Sequence, residues 1–156
     1  MTMKRKLTVD IQKADWLTDE YVKNWFENIK APRTIRNYTR EFPFFLEFVK
    51  KTPTEIIESR IEHLTSKDMS KRRYWELAVI KYTRHLETLT NDEGKRRLGV
   101  WGIHGYQRAI QSFFSHNGLK LAFARKELDV EPAEREKIQK EFIPSNEHIR
   151  VLYRGC

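Results

Sequence analysis

The chain has 156 residues, 39% of them hydrophobic and 12% aromatic, enough to bury one core without metals or disulfides, with 33% charged residues to solvate its surface. Thirty Lys and Arg against 22 Asp and Glu give a formal charge of +8 and a pI near 9.6, which favours a polyanionic partner, nucleic acid foremost, unless the excess is merely solubilising. The longest apolar stretch, 42–49, is short and broken by Pro43 and Glu47, no apolar region follows the basic start 1–6, and the lone Cys156 can make no internal disulfide, so a membrane span, a secretory signal and a disulfide framework are excluded and a cytoplasmic, DNA-associated protein is expected.

Glycine and proline are sparse and the apolar residues recur at helical spacing, so the expected fold is all-α: a compact bundle of four to five helices. After a basic tail over 1–16, a first helix spans 17–30, with Thr18 as N-cap and Leu17, Tyr21, Trp25 and Ile29 as its apolar stripe. A second begins at Pro32 and turns Ile35, Tyr38, Phe42, Phe45, Leu46 and Val49 inward, with a kink expected at Pro43. Thr52-Pro53-Thr54-Glu55 forms a capping box for a third, which ends by Ser66 and buries Ile56, Ile57, Ile61 and Leu64. A fourth covers 70–89, a polar loop follows to Arg97, and a fifth runs over 100–116 to the stop at Asn117-Gly118. These helices make a domain over 17–118. The remainder, 119–156, reads as a connector, with a cap at Ser145 opening a helix of Ile149 and Leu152 that stops within about two turns, as if leading into a further domain.

The second helix carries the strongest chemical signal. Arg33, Arg36, Asn37 and Arg40 fall at i, i+3, i+4 and i+7, opposite the aromatic stripe, with Thr34 and Thr39 beside them. Arginine clamps phosphate bidentately or reaches guanine, and asparagine reads adenine, so this face has the chemistry of a major-groove reader; the plain alternative is a solvated face. The fifth helix sets His104, Gln107, Arg108, Gln111 and Ser115 opposite Ile103, Ile110, Phe113 and Phe114, hydrogen-bonding groups suited to base edges and sugar-phosphate or to solvent. Lys71-Arg72-Arg73 and Lys95-Arg96-Arg97 are candidate phosphate grips. Catalytic patterns are missing: the five histidines stand apart at no ligand spacing, Gly99, Gly102 and Gly105 form no phosphate loop and read instead as points of close backbone approach, and no serine sits in a nucleophile elbow. Neither a metal nor a cofactor is expected.

Thr34-Ile35-Arg36-Asn37-Tyr38 leading into Phe44-Phe45-Leu46-Glu47-Phe48, the segment from Tyr106 through Ala109-Ile110-Gln111-Ser112-Phe113-Phe114 to Asn117-Gly118, and Phe142-Ile143-Pro144-Ser145 followed by Glu147 and Ile149 together resemble the N-terminal core-binding, SAM-like domain of tyrosine recombinases and phage-type integrases and its exit linker. The resemblance spans 17–156. It implies a helical clamp arm that closes on one side of a double-stranded recombination site, with other protomers of the recombinase on the same DNA. The family's catalytic Arg, Lys, His-x-x-Arg and tyrosine nucleophile belong to a second half. No His-x-x-Arg occurs here and Tyr153 lies in the linker, so a non-catalytic fragment is expected. Two other readings share these features: a stand-alone helical DNA-binding regulator, and a helical protein-interaction module in which exposed aromatics such as Trp101 dock a partner and the charge is incidental.

Overall fold

Local capping sets the helix boundaries in the computed structural model, which describes residues 16–133. A 3-10 turn, Trp16–Thr18, precedes α1 (Glu20–Glu27), and the cap is Asp19 rather than Thr18. The Asp19 carboxylate accepts the Tyr21 N–H at 2.9 Å through Oδ1, while Oδ2 takes the Thr54 N–H at 3.1 Å and hydroxyl at 2.6 Å, so one side chain starts α1 and fastens it to the first turn of the third helix. Helix α2 (Pro32–Val49) has proline in its first turn, continues through the buried Pro43 and ends where Lys50 turns left-handed at φ 55°. Helix α3 (Pro53–Leu64) opens with the expected capping box, Thr52 and Glu55 bonding each other's N–H groups.

The segment expected as one helix over 70–89 is two. Asp68 captures the Ser70 N–H at 3.0 Å and starts a short α4 (Met69–Arg72), and Arg73 at ψ 12° separates it from α5 (Tyr74–Thr88). The Arg72 carbonyl at the break accepts from the Arg60 guanidinium at 3.2 Å, a tertiary bond that local sequence does not announce. A tight turn follows, with Asn91 bonding the Glu93 and Lys95 N–H groups, Gly94 at φ 76° and one antiparallel bridge between Thr90 and Arg96; no strand occurs among the described residues. Helix α6 (Val100–His116) completes the bundle, ending at Asn117 with Gly118 at φ 75°.

The core is aromatic. Trp25 stacks on Tyr38 at 5.3 Å, meets the edges of Phe42 and Phe113 at 5.0 and 5.4 Å, and satisfies its indole N–H on Ser112 Oγ at 2.8 Å. Trp75 gives its N–H to Ser59 at 3.1 Å, and Val79, Tyr82, Leu86, Ile103, Ile110 and Phe114 fill the space between α5 and α6. Ile61 and Leu64, expected inside, are exposed, because the buried stripe of α3 is Pro53, Ile56, Ile57 and Arg60; at 100° per residue Ile61 falls roughly a quarter turn off it, and Leu64 sits on the last turn. Leu17, also expected inward, is exposed.

An arginine in a core stripe requires an acid, and Glu76 provides it. The two meet bidentately at 2.8 and 3.1 Å with side chains only 3% and 4% exposed. Arg60 also donates to the Lys120 carbonyl at 3.1 Å and Glu76 accepts the Ala122 N–H at 3.0 Å, so the pair holds the chain just beyond α6. Leu121 is buried, and Leu119, Phe123, Leu128 and Val130 pack on the core. Residues 119–133, expected as connector, thus form a strap across the bundle. The helix expected around Ile149 and Leu152, and the basic tail through residue 15, lie outside the described residues. No helix among those described is long and apolar enough to cross a membrane.

Candidate nucleic-acid interface

On α2 the arginines stand where their spacing puts them. Arg33, Arg36 and Arg40 are exposed and Asn37 and Thr34 half-exposed, while Phe42, Phe45 and Leu46 on the other side are buried. Arg40 reaches Asn37 Oδ1 at 3.5 Å and Glu41 Oε1 at 3.4 Å, long contacts that leave its guanidinium largely free for an incoming anion. Thr39 is spent, its hydroxyl donating to the Ile35 carbonyl at 2.7 Å.

Helix α6 lies against α2, with Phe42 on Phe113 at 4.8 Å and Gly105 facing the Glu41 side chain. A Cβ on Gly105 would meet Glu41 Oε1 at 3.3 Å, so the missing side chain lets the helices approach with the Glu41 carboxylate between them. Burial pushes the Glu41 carboxyl above the ordinary glutamate range, against the opposing pull of Arg40 and Arg108. Those two arginines therefore flank one half-covered carboxylate, and the polar faces of α2 and α6 form one surface. At 100° per residue, Trp101, His104, Arg108, Gln111 and Ser115 share the outer arc of α6. Trp101 and Arg108 are exposed and His104 and Gln111 half-exposed.

Gln107 does not belong to that arc. It is 2% exposed, since it follows Ile103 by four residues and precedes Ile110 by three, both buried. Its amide nitrogen donates to Thr83 Oγ1 at 2.9 Å and to the Leu128 carbonyl at 3.1 Å, and its oxygen faces His104 Nδ1 at 2.7 Å. The expectation that it reads DNA is corrected: it pins the strap.

The two basic triplets divide in the same way. Arg73 pairs with Glu127 at 2.7 Å, and Arg96 donates to the Leu98 carbonyl at 2.8 Å and to the Glu131 carbonyl, so one arginine of each triplet holds the strap. Arg72 directs Nε to the Ser66 carbonyl at 2.7 Å, which places the exposed Lys71-Arg72 pair beside the end of α3 rather than on the α2–α6 surface. Lys95, exposed with Glu93 at 3.7 Å, and the half-exposed Arg97 project from the turn that leads directly into α6. Helix α3 has the opposite character, since Glu55, Glu58 and Glu62 are exposed and its one arginine, Arg60, is buried. Exposed arginines thus line α2, with Arg108 on α6, while exposed glutamates line α3.

Sequence reasoning missed Glu41, whose signal was an acid inside an arginine-rich turn, although it named Gly105 as a point of close approach. No group of three or more His, Cys, Asp or Glu among the described residues could hold a metal ion. Compared with protein-family models, with curated proteins and with solved structures, the chain matches none.

Proposed function

We propose that this chain binds double-stranded DNA in a sequence-recognising way, as the N-terminal clamp domain of a site-specific tyrosine recombinase, and that it is not itself catalytic. The observation that carries the reading is the joined surface of α2 and α6, where Arg33, Arg36 and Arg40 stand exposed and Asn37 half-exposed on α2, Arg40 and Arg108 act on the same Glu41 carboxylate, and the acidic helix α3 lies elsewhere. Arginines on a helix face engage phosphates and base edges, and counterion release makes such binding steeply salt-dependent. The partners proposed are a duplex recombination site and other protomers of the recombinase on it.

The test is a fluorescence anisotropy titration of labelled duplex DNA across a series of salt concentrations. Binding with log K falling linearly against log salt at a slope of several units supports the reading, and the absence of a complex at low salt sinks it. A covalent phosphotyrosyl adduct with DNA would overturn the non-catalytic part. A second reading, a helical protein-interaction module, is favoured by the exposed Ile61, Leu64, Met69, Tyr74 and Leu77 on α3, α4 and α5. It predicts a salt slope near zero.

A further inference from the structure

We infer that Trp101 is the apolar anchor of the DNA contact, its indole packing on the sugar and base edges of a duplex that lies along α2 and α6; this rests on the reading of that surface as a DNA-binding one. Trp101 is 79% exposed. The other tryptophans are placed differently: Trp25 and Trp75 are fully buried, and Trp16 lies on Phe26 and Phe42. Nothing in the folding of α6 calls for an indole here, because its one ring contact among the described residues is an edge-on approach to His104 at 6.0 Å on the same exposed face. A side chain that buries on the order of 150–250 Å² when covered is left facing solvent.

Its surroundings say what covers it. Lys95, with Glu93 at 3.7 Å, and the half-exposed Arg97 precede it in the turn that leads into α6, His104 and Arg108 follow at one and two turns along the same arc, and Arg40 on α2 shares the Glu41 carboxylate with Arg108. An exposed aromatic ring with Arg108 on its own arc and Lys95 and Arg97 in the preceding turn suits a polyanion that offers sugar and base edges between its phosphates; an apolar protein surface would leave those charged side chains desolvated. Phosphates occupy the arginines, and the indole meets what lies between the phosphates. The two contributions separate by salt, since an indole releases no counterion.

The test combines quenching and affinity on the full chain. With duplex DNA, neutral acrylamide should lose its access to the one strongly exposed indole, and Trp101→Ala should weaken binding by about tenfold at every salt concentration with the slope of log K against log salt unchanged. Trp101→Phe should recover most of the affinity, and both variants should unfold at the parental midpoint. Parental affinity in Trp101→Ala, with the parent's indole still open to acrylamide in the complex, would overturn the anchor while leaving DNA binding intact. Failure of every variant, and of the parent, to bind DNA would remove the surface assignment instead. Protection that grows with protein concentration without DNA would assign the indole to a protein contact, and tighter Trp101-dependent binding of single strands than of duplex would overturn the duplex geometry.

Discussion

Removing the Glu76 carboxylate should be among the most costly single changes in this chain, while leaving the exposed side chains of α2 and α6 untouched. Glu76→Ala strands the Arg60 guanidinium, 3% exposed, without its bidentate partner and deprives the Ala122 N–H of its acceptor. Breaking a buried pair from one side costs about 3–5 kcal/mol. Against a total stability of about 5–15 kcal/mol, this should lower the thermal midpoint by about 10–20 °C, or unfold the domain at the lower end of that range. The double variant Arg60→Met/Glu76→Leu discriminates the cause. Buried ion pairs are often replaceable by apolar residues at little cost, but here the guanidinium also serves the Arg72 and Lys120 carbonyls, so the double variant also removes the tertiary partners of two carbonyls and one N–H. The double variant should therefore regain part of the loss and still sit about 2–3 kcal/mol below the parent. Urea unfolding followed by the fluorescence of the buried Trp25 and Trp75 measures both. A Glu76→Ala variant within about 1 kcal/mol of the parent would show that the Arg60 charge is not stranded, and a double variant as stable as the parent would show that the strap does not depend on these bonds.

Replacing Arg36 and Arg40 with alanine should weaken DNA binding and lower the salt slope by about one for each phosphate no longer neutralised, with stability within about 0.5 kcal/mol of the parent because both side chains are exposed; an unchanged slope in anisotropy titrations would move the reading element from α2 to α6. Glu41→Gln should tighten DNA binding at neutral pH by removing the one carboxylate flanked by Arg40 and Arg108. Burial raises the Glu41 carboxyl above its ordinary 4.5, so its contribution to stability is present below that value and lost as pH rises through the raised one; the glutamine variant, fixed in the uncharged form, should match or exceed the parent's melting temperature at pH 7. Glu127 and Glu55 titrate in the opposite sense: the Ala124 N–H and then Arg73 lower Glu127, and Thr52 lowers Glu55, so their stabilisation is present above 4.5 and lost as pH falls through the depressed values. Acid unfolding of Glu127→Gln should begin from a less stable state at neutral pH and fall less steeply below 4.5 than in the parent, which parallel melting curves down to pH 3 would check.

The helices are readable wherever a local device writes them. Pro32 in a first turn, the Thr52/Glu55 box and Asn117-Gly118 place boundaries within a residue or two, and the aromatic stripe of α2 is legible because large side chains recur on one face. Whatever a distant residue decides stays hidden. The division of α4 from α5 involves a carbonyl bonded by Arg60, twelve residues earlier in the chain. The strap reads as a connector in the sequence because Leu119, Leu121, Phe123, Leu128 and Val130 follow neither helical nor strand period; their burial is organised by Arg60, Glu76 and Gln107, of which the sequence reading puts Gln107 on a polar face and gives Arg60 and Glu76 no role. A charged or amide residue in the middle of an apolar stripe is the signal that could have shown it.

The same rule sorts the candidate site. Each polar residue that left the expected surface sits where its helix angle already points inward or where a backbone carbonyl or a strap carboxylate competes for it: Gln107 between Ile103 and Ile110, Arg73 and Arg96 against the strap. Those that stayed on α2 and α6 lie at the angles farthest from the core. Fixing the strap with Arg73 and Arg96 leaves a smaller cationic surface than the net charge of +8 implies, and that surface lies on two helices backed by the aromatic core. Recognition of a duplex by a helix face depends on keeping side chains in register with phosphates and base edges rather than on total charge. A bulkier residue at Gly105 would displace the Glu41 carboxylate that Arg40 and Arg108 share. A Gly105→Leu variant should lose affinity at unchanged net charge, and an anisotropy titration matching the parent would show that the spacing of the two helices is not what the DNA reads.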